Sequence, residues 1–139
     1  MNQCLVSPCL DMVLRLLLAV ALGAGIGFQR ERAHKAAGLR THILISLGAA
    51  LFTVVSIFGF SGTVDPSRVA AGVVAGVGFI GAGVIFRGMG GEGVAGLTTA
   101  ASIWSTAAVG LAAGAGMWVL AIIAALLTLG VLMIPKAKG

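Results

Sequence analysis

Arg30, Glu31, Arg32, Lys35 and Arg40, with His34 and His42, crowd into the stretch GFQRERAHKAAGLRTHIL, residues 27–44. The 139-residue chain has nine Lys/Arg and four Asp/Glu side chains, and five of them fall here together with both histidines. Guanidinium groups offer forks of N–H donors that bind anions. An imidazole changes charge near neutral pH, and His42, two residues after Arg40, stands where a proton sensor or an anion contact would operate. Glu31 is expected to neutralise the cations beside it. The sequence offers no Ser/His/Asp, Cys/His or paired-carboxylate set, so it is not expected to be an enzyme, and it implies no cofactor.

The elements that carry these residues follow from composition. The chain is 59% hydrophobic and 9% charged, where soluble domains are about 25% charged. Its mean hydropathy is +1.12. Too few polar side chains exist to cover a water-facing surface, so bilayer lipid is the expected solvent and first partner. The net charge of +5 suggests nucleic acid only superficially, because the basic residues form no run interleaved with aromatics and Tyr is absent. It reads as a topology signal, and no nucleic-acid partner is expected. Residues 1–11 read as an unstructured tail, without a cleaved signal peptide, and the first segment also reads normally from Met12 as an alternative start. Cys4 and Cys9 fit no metal motif, and a disulfide between them requires an oxidising compartment.

Five apolar segments, each near the ~20 residues of a bilayer-crossing helix, fill residues 12–134: Met12–Phe28, Thr41–Phe60, Val69–Phe86, Leu97–Ala113 and Met117–Ile134. Residues 135–139 form a basic tail. The runs are continuous rather than alternating, which excludes a membrane barrel and makes the fold class an all-α polytopic bundle. The boundary at Gly114–Gly116 is the weakest, with one long broken helix as the alternative. Arg30, Arg32, Lys35, Arg40, Arg87, Lys136 and Lys138 fall on one side, against Arg15 and Arg68 on the other. The positive-inside rule puts the first group in the cytoplasm, with the N-terminus outside and the C-terminus inside. Asp11 before Arg15 and Asp65 before Arg68 stand at helical spacing and soften the outer cations.

Glycine numbers 22, much of it at the spacing that lets helices approach closely in lipid. Gly23 and Gly27, Gly72 and Gly76, Gly78, Gly81 and Gly83, and Gly110 and Gly114 are the expected packing positions. A third segment that is small on several faces predicts a central third helix. GVGFIG, residues 76–81, matches the dinucleotide fingerprint by letter, but it lies inside an apolar segment and lacks the acid about 20 residues later; it reads as small-residue packing, with a locally broken helix whose carbonyls line a site as the alternative. His42, Ser46, Ala49, Thr53 and Ser56 recur on one face of the second segment, and Thr98, Thr99, Ser102, Ser105 and Thr106 mostly on one side of the fourth. These stripes predict hydrogen bonds between helices, or the lining of a polar path. None of Asp11, Glu31, Asp65 and Glu92 lies in the middle of a span, which disfavours a site for a dehydrated divalent cation.

Three ordered stretches, RERAHKAAGLRTHIL, RVAAGVVAGVGFIGAGVIFR and GVAGLTTAASIWSTAAVGLAAGAG, carry a family pattern. From Met12 to Ile134 the chain resembles the membrane domain of the MgtC/SapB family. The resemblance implies a multi-pass protein of the bacterial inner membrane with five spans, linked to low magnesium, acid stress or survival inside host cells. It further implies action by binding other membrane proteins, the ATP synthase among them, rather than by moving magnesium. The family's signature residues fall on Glu31, Arg32, Gly38, Leu39, Arg40, Thr41 and His42, on Gly78, Gly81, Ala82, Gly83 and Arg87, and on Gly96, Leu97, Thr98, Thr99, Ala100, Ala101 and Trp104. Many relatives continue into a cytoplasmic domain, whereas this sequence stops at PKAKG, and Ala95 stands where relatives often have a basic residue.

Together these readings predict one polar site at the cytoplasmic face for an anionic group or a partner's carboxylate. Its expected members are Glu31, Arg32, Arg40, Thr41, His42, Arg87, Thr98, Thr99, Ser102 and Trp104, with Thr98 or Thr99 capping the fourth helix. A homo-oligomer is expected, because five short spans under-use their small faces. The opposing expectation is a channel or transporter for magnesium, protons or potassium, lined by the second, third and fourth helices.

Overall fold

A computed structural model describes residues 6–87 and 93–137. Among them are five α-helices, α1 (Val6–Arg32), α2 (Leu39–Phe58), α3 (Ser67–Ala82), α4 (Leu97–Gly114) and α5 (Trp118–Leu132). Between α3 and α4 lie two short antiparallel strands, β1 (Phe86–Arg87) and β2 (Val94–Ala95), which pair Phe86 with Ala95. Segments α1, α2 and α4 are long and apolar enough to cross a membrane; α3 and α5 are apolar but shorter. At 1.5 Å per residue the 16 residues of α3 and 15 of α5 reach about 24 and 22 Å, against ~30 Å of hydrocarbon.

The elements begin and end where local chemistry directs. Helix α1 starts at Val6, so residues 6–11, expected to be unstructured, extend the first helix by more than a turn. Asp11 then stands one turn before Arg15 and accepts from its Nε at 2.8 Å. Helix α3 stops at Ala82 rather than running to Phe86, because the chain turns at Gly83 and its next residues pair across the β ribbon. The sequence GVGFIG lies inside α3 as unbroken helix. Gly116, at φ +79°, provides the left-handed turn between α4 and α5, so the single broken helix is not formed.

Helices α1, α2 and α4 form the core, α4 touching every other helix, and the physical reason is where the glycines fall. A Cβ on Gly23 of α1 would sit 2.8 Å from the Ser46 Cβ, and one on Gly27 2.8 Å from the Leu39 Cα. A Cβ on Gly110 of α4 would run into the Ser46 carbonyl, and one on Gly114 would lie 2.8 Å from the Ala50 Cα. Glycine faces of α1 and α4 thus grip α2 from two sides. Behind them close the apolar clusters of Ala19, Ala50, Ala113 and Ala121, and of Ile26, Val109 and Ala125.

The expectation of a central third helix is overturned. Only Val77 and Gly81 of α3 are buried, and they meet α4, where a Cβ on Gly81 would find Ala100 at an ordinary 3.6 Å. Gly72, Gly76 and Gly78 have nothing within 4 Å of a notional Cβ, and Gly83 meets only carbonyls of its own helix. Small residues on several faces here mark a slender peripheral helix.

Candidate functional site

The polar stripe of α2 and that of α4 face each other inside the bundle. His42, Ser46, Thr53 and Ser56 are buried on α2, and Thr99, Ser102 and Thr106 on α4. Most of their hydroxyls answer backbone carbonyls: Ser46 donates to Ala19 at 2.7 Å across to α1, Thr53 to Ala49 and Thr106 to Ser102 along their own helices. At the end of this core nearest the α1–α2 loop, three helices bring together a denser set.

Arg30 is the group that the sequence reading missed. It follows Gly27 by three residues, so it shares the face on which Gly23 and Gly27 meet α2. That close approach draws Arg30 inward, leaving it 2% exposed. Its Nη2 donates to the Thr99 hydroxyl at 2.7 Å. Its Nε is buried with no partner among the described residues, and the Asp11–Arg15 contact is the only salt bridge among them. A buried guanidinium is therefore present without a carboxylate.

His42, fully buried, meets α4 at Ser102, three residues beyond Thr99. Its Nδ1 is 2.9 Å from the Gly38 carbonyl and its Nε2 is 3.1 Å from the Ser102 hydroxyl, which in turn stands 2.8 Å from the Thr99 carbonyl. Counting protons defines two states. With a neutral ring, Nδ1 donates to Gly38 and Nε2 accepts from Ser102. With a charged ring, Nε2 donates to Ser102, whose own proton turns to the Thr99 carbonyl. The hydroxyl–imidazole pair resembles two members of a catalytic triad, but a carbonyl stands in place of the acid and both groups are buried.

Glu31 is exposed and serves the backbone. Its carboxylate accepts from the Leu39 N–H at 2.7 Å, holding an orphan donor at the start of α2 with favourable dipole sign. Gly38 leaves the room for this, since a Cβ there would collide with the Glu31 carboxylate. Arg32 is exposed with its guanidinium 5.0 Å above the Phe28 ring, and Arg40 is exposed. Thr41 is half-buried; Thr98 and Trp104 are exposed. Arg87 lies in β1, and its side chain is outside the described part of the structure, as are Glu92 and Cys4. Cys9 is disulfide-bonded.

The capping expectation for α4 is corrected too. Gly96 precedes the helix at φ +89°, no side chain caps it, and a Cβ there would collide with the Val84 carbonyl. Thr99 is thereby released to accept from Arg30. Of the expected site, then, the structure brings together His42, Thr99 and Ser102, adds Arg30, and leaves Glu31, Arg32, Arg40, Thr98 and Trp104 outside.

The sequence model of the MgtC family matches residues 16–138. The chain belongs to the MgtC family. It is 48% identical over 130 residues to the Escherichia coli K12 protein named "Putative magnesium transporter YhiD", covering 88% of this chain and 59% of that one. It is 52% identical over 99 residues to protein MgtC of Brucella abortus, covering 71% and 40% respectively. Protein SrpB of Synechococcus elongatus is 44% identical over 131 residues, covering 86% and 72%. The chain thus spans about half the length of the first two relatives. No solved structure matches. Membership of the MgtC family and three apolar helices of spanning length make this a membrane protein.

Proposed function

We propose that this MgtC-family protein works in the bacterial inner membrane, N-terminus outside and C-terminus cytoplasmic, in adaptation to low magnesium or acid, by associating with another membrane protein. The observation that carries this reading is Arg30: a buried guanidinium with an unpartnered Nε. An uncompensated charge in such surroundings is costly and calls for an anion. The chain's described acids are engaged elsewhere, Asp11 with Arg15, Glu31 with the Leu39 N–H and Asp65 with the Ser67 N–H. A carboxylate from a partner, the ATP synthase implied by the family resemblance being one, supplies the missing charge. His42 meets Ser102, three residues from the Thr99 that holds Arg30, so a proton gained there adds a second positive charge at this end and strengthens the demand for that anion.

The name of the Escherichia coli relative favours a second reading, magnesium transport along the faces of α2 and α4. Those faces are closed against each other and carry hydroxyls rather than carboxylates. One comparison separates the two. In cells lacking their own copy, wild type restores growth at low magnesium and R30M does not, although both insert equally; growth with R30M defeats the association reading. Saturable magnesium flux by the purified protein in proteoliposomes establishes transport instead.

A further inference from the structure

Helices α2 and α3 both lean on α4 without closing on each other. Between them runs a cleft of about 630 Å³, floored by Ala49, Val77 and Ala107, within the ~300–1,000 Å³ of ligand sites. Its walls are made by absence of side chain: Gly48 on α2 and Gly72 and Gly76 on α3 all have nothing within 4 Å of a notional Cβ. Its rim is Leu44 and Phe52 on one side and Ile80 on the other, each at least half exposed. The lining holds a single charged residue, Arg68, at the N-terminal end of α3.

We infer that this cleft holds one acyl chain of an anionic glycerophospholipid whose phosphate sits on Arg68. Length is the first argument. From Arg68 to Ile80 the α3 wall rises about 18 Å, close to the ~15 Å of one leaflet, which is the reach of one acyl chain. Charge is the second. Arg68 is exposed and makes no salt bridge among the described residues; Asp65, three residues before it, acts on it only through space while its carboxylate accepts from the Ser67 N–H. A second copy of the chain brings no uncommitted described acid to that level, whereas every anionic phospholipid brings its phosphate to the end of its chains. Apolar cleft and terminal cation thus match one molecule, and the assignment rests on the membrane location alone, independent of any role for Arg30.

Native mass spectrometry of the purified full chain, offered phosphatidylglycerol or chain-matched phosphatidylcholine, tests this. Wild type retains one phosphatidylglycerol about fivefold more than phosphatidylcholine, the advantage of one cation near an anionic headgroup. R68Q retains the two lipids equally. G76L and G48L, which fill the cleft from opposite walls at positions with open space, lose both lipids while keeping wild-type helix content. The inference fails if wild type does not distinguish the lipids, if R68Q keeps the preference, or if both filling variants bind as before. A two-copy mass that G76L and G48L reduce to one copy overturns it in favour of a second copy.

Discussion

Arg30 and Arg32 stand two residues apart on one helix, about 200° around its axis, and meet opposite surroundings. Arg32 lies over Phe28 at the surface, while Arg30 is buried against Thr99. The charge-rich stretch was legible as the place where chemistry concentrates; which arginine turns inward was not, because position in a charged run says nothing about helical phase. The signal lay upstream, in the step from Gly23 to Gly27 to Arg30 that puts the cation on the closely packed face. Since Arg30 lacks an acid, R30M should unfold in detergent at the wild-type temperature or above it, in contrast to the loss expected when one member of a satisfied ion pair is removed. A clear fall in unfolding temperature would mean that the guanidinium is already paired. Ser102→Ala should act in the opposite sense, lowering stability by about 1–3 kcal/mol, because it leaves His42 Nε2 buried without its hydroxyl partner. Thermal unfolding followed by circular dichroism reads both.

Small residues have different meanings in different elements. On α1 and α4 they admit a neighbour; on α3 Gly72, Gly76 and Gly78 admit none, and composition is the same in both cases. The apolar segments were readable because run length measures the bilayer, and the hydroxyl stripes because a step of three or four fixes a face. The position of α3 was not readable, since small faces serve helix contact and lipid contact alike, and the two-residue β ribbon has too little periodicity to register. Gly110→Ala and Gly72→Ala separate the two meanings. The first drives a methyl into the Ser46 backbone and should destabilise by about 1–3 kcal/mol. The second, with open space around it, should be neutral or stabilising by about 0.5–1 kcal/mol, the helix cost of glycine. Equal effects would remove the distinction. At the start of α3 the Ser67 hydroxyl and N–H hold the Asp65 carboxyl below the ordinary carboxylate range. Its contribution is therefore complete above the ordinary value near ~3.9 and is lost as pH falls through the lowered one. Protection of the Ser67 amide, judged from its exchange relative to the intrinsic rate at each pH, should fall on that acid side, and Asp65→Asn should abolish that change.

Across the whole molecule the two ends of the α1–α2–α4 core differ in kind. At one end Arg15 is satisfied: Asp11 holds its Nε, its Nη1 donates to the Gly114 carbonyl at 2.9 Å, and the Phe58 ring lies 5.1 Å away. That cation is partly neutralised and ties α1 to the α4–α5 turn, as suits an outer surface where free positive charge opposes the preferred orientation. At the other end Arg30, Arg32, Lys35 and Arg40 have no salt bridge among the described residues, which suits the cytoplasm. Single cysteines, introduced after Cys4 and Cys9 are replaced by serine, test this with a membrane-impermeant thiol reagent. One at His34 should react only after permeabilisation and one at Thr63 in intact cells, a result that requires only α2 to cross. The direction of α4 is read further along. If α3 crosses despite its length of about 24 Å, by local thinning of the bilayer, exposed Met117 lies outside. Thr99 on Arg30 and the Gly114 carbonyl on Arg15 set α4 antiparallel to α1, so Met117 lies at the Arg15 end. Labelling of a cysteine at Met117 in intact cells, alongside the Thr63 site, is the expected outcome, and its protection there would mean that the contacts of Arg15 and Arg30 with α4 do not form in the membrane.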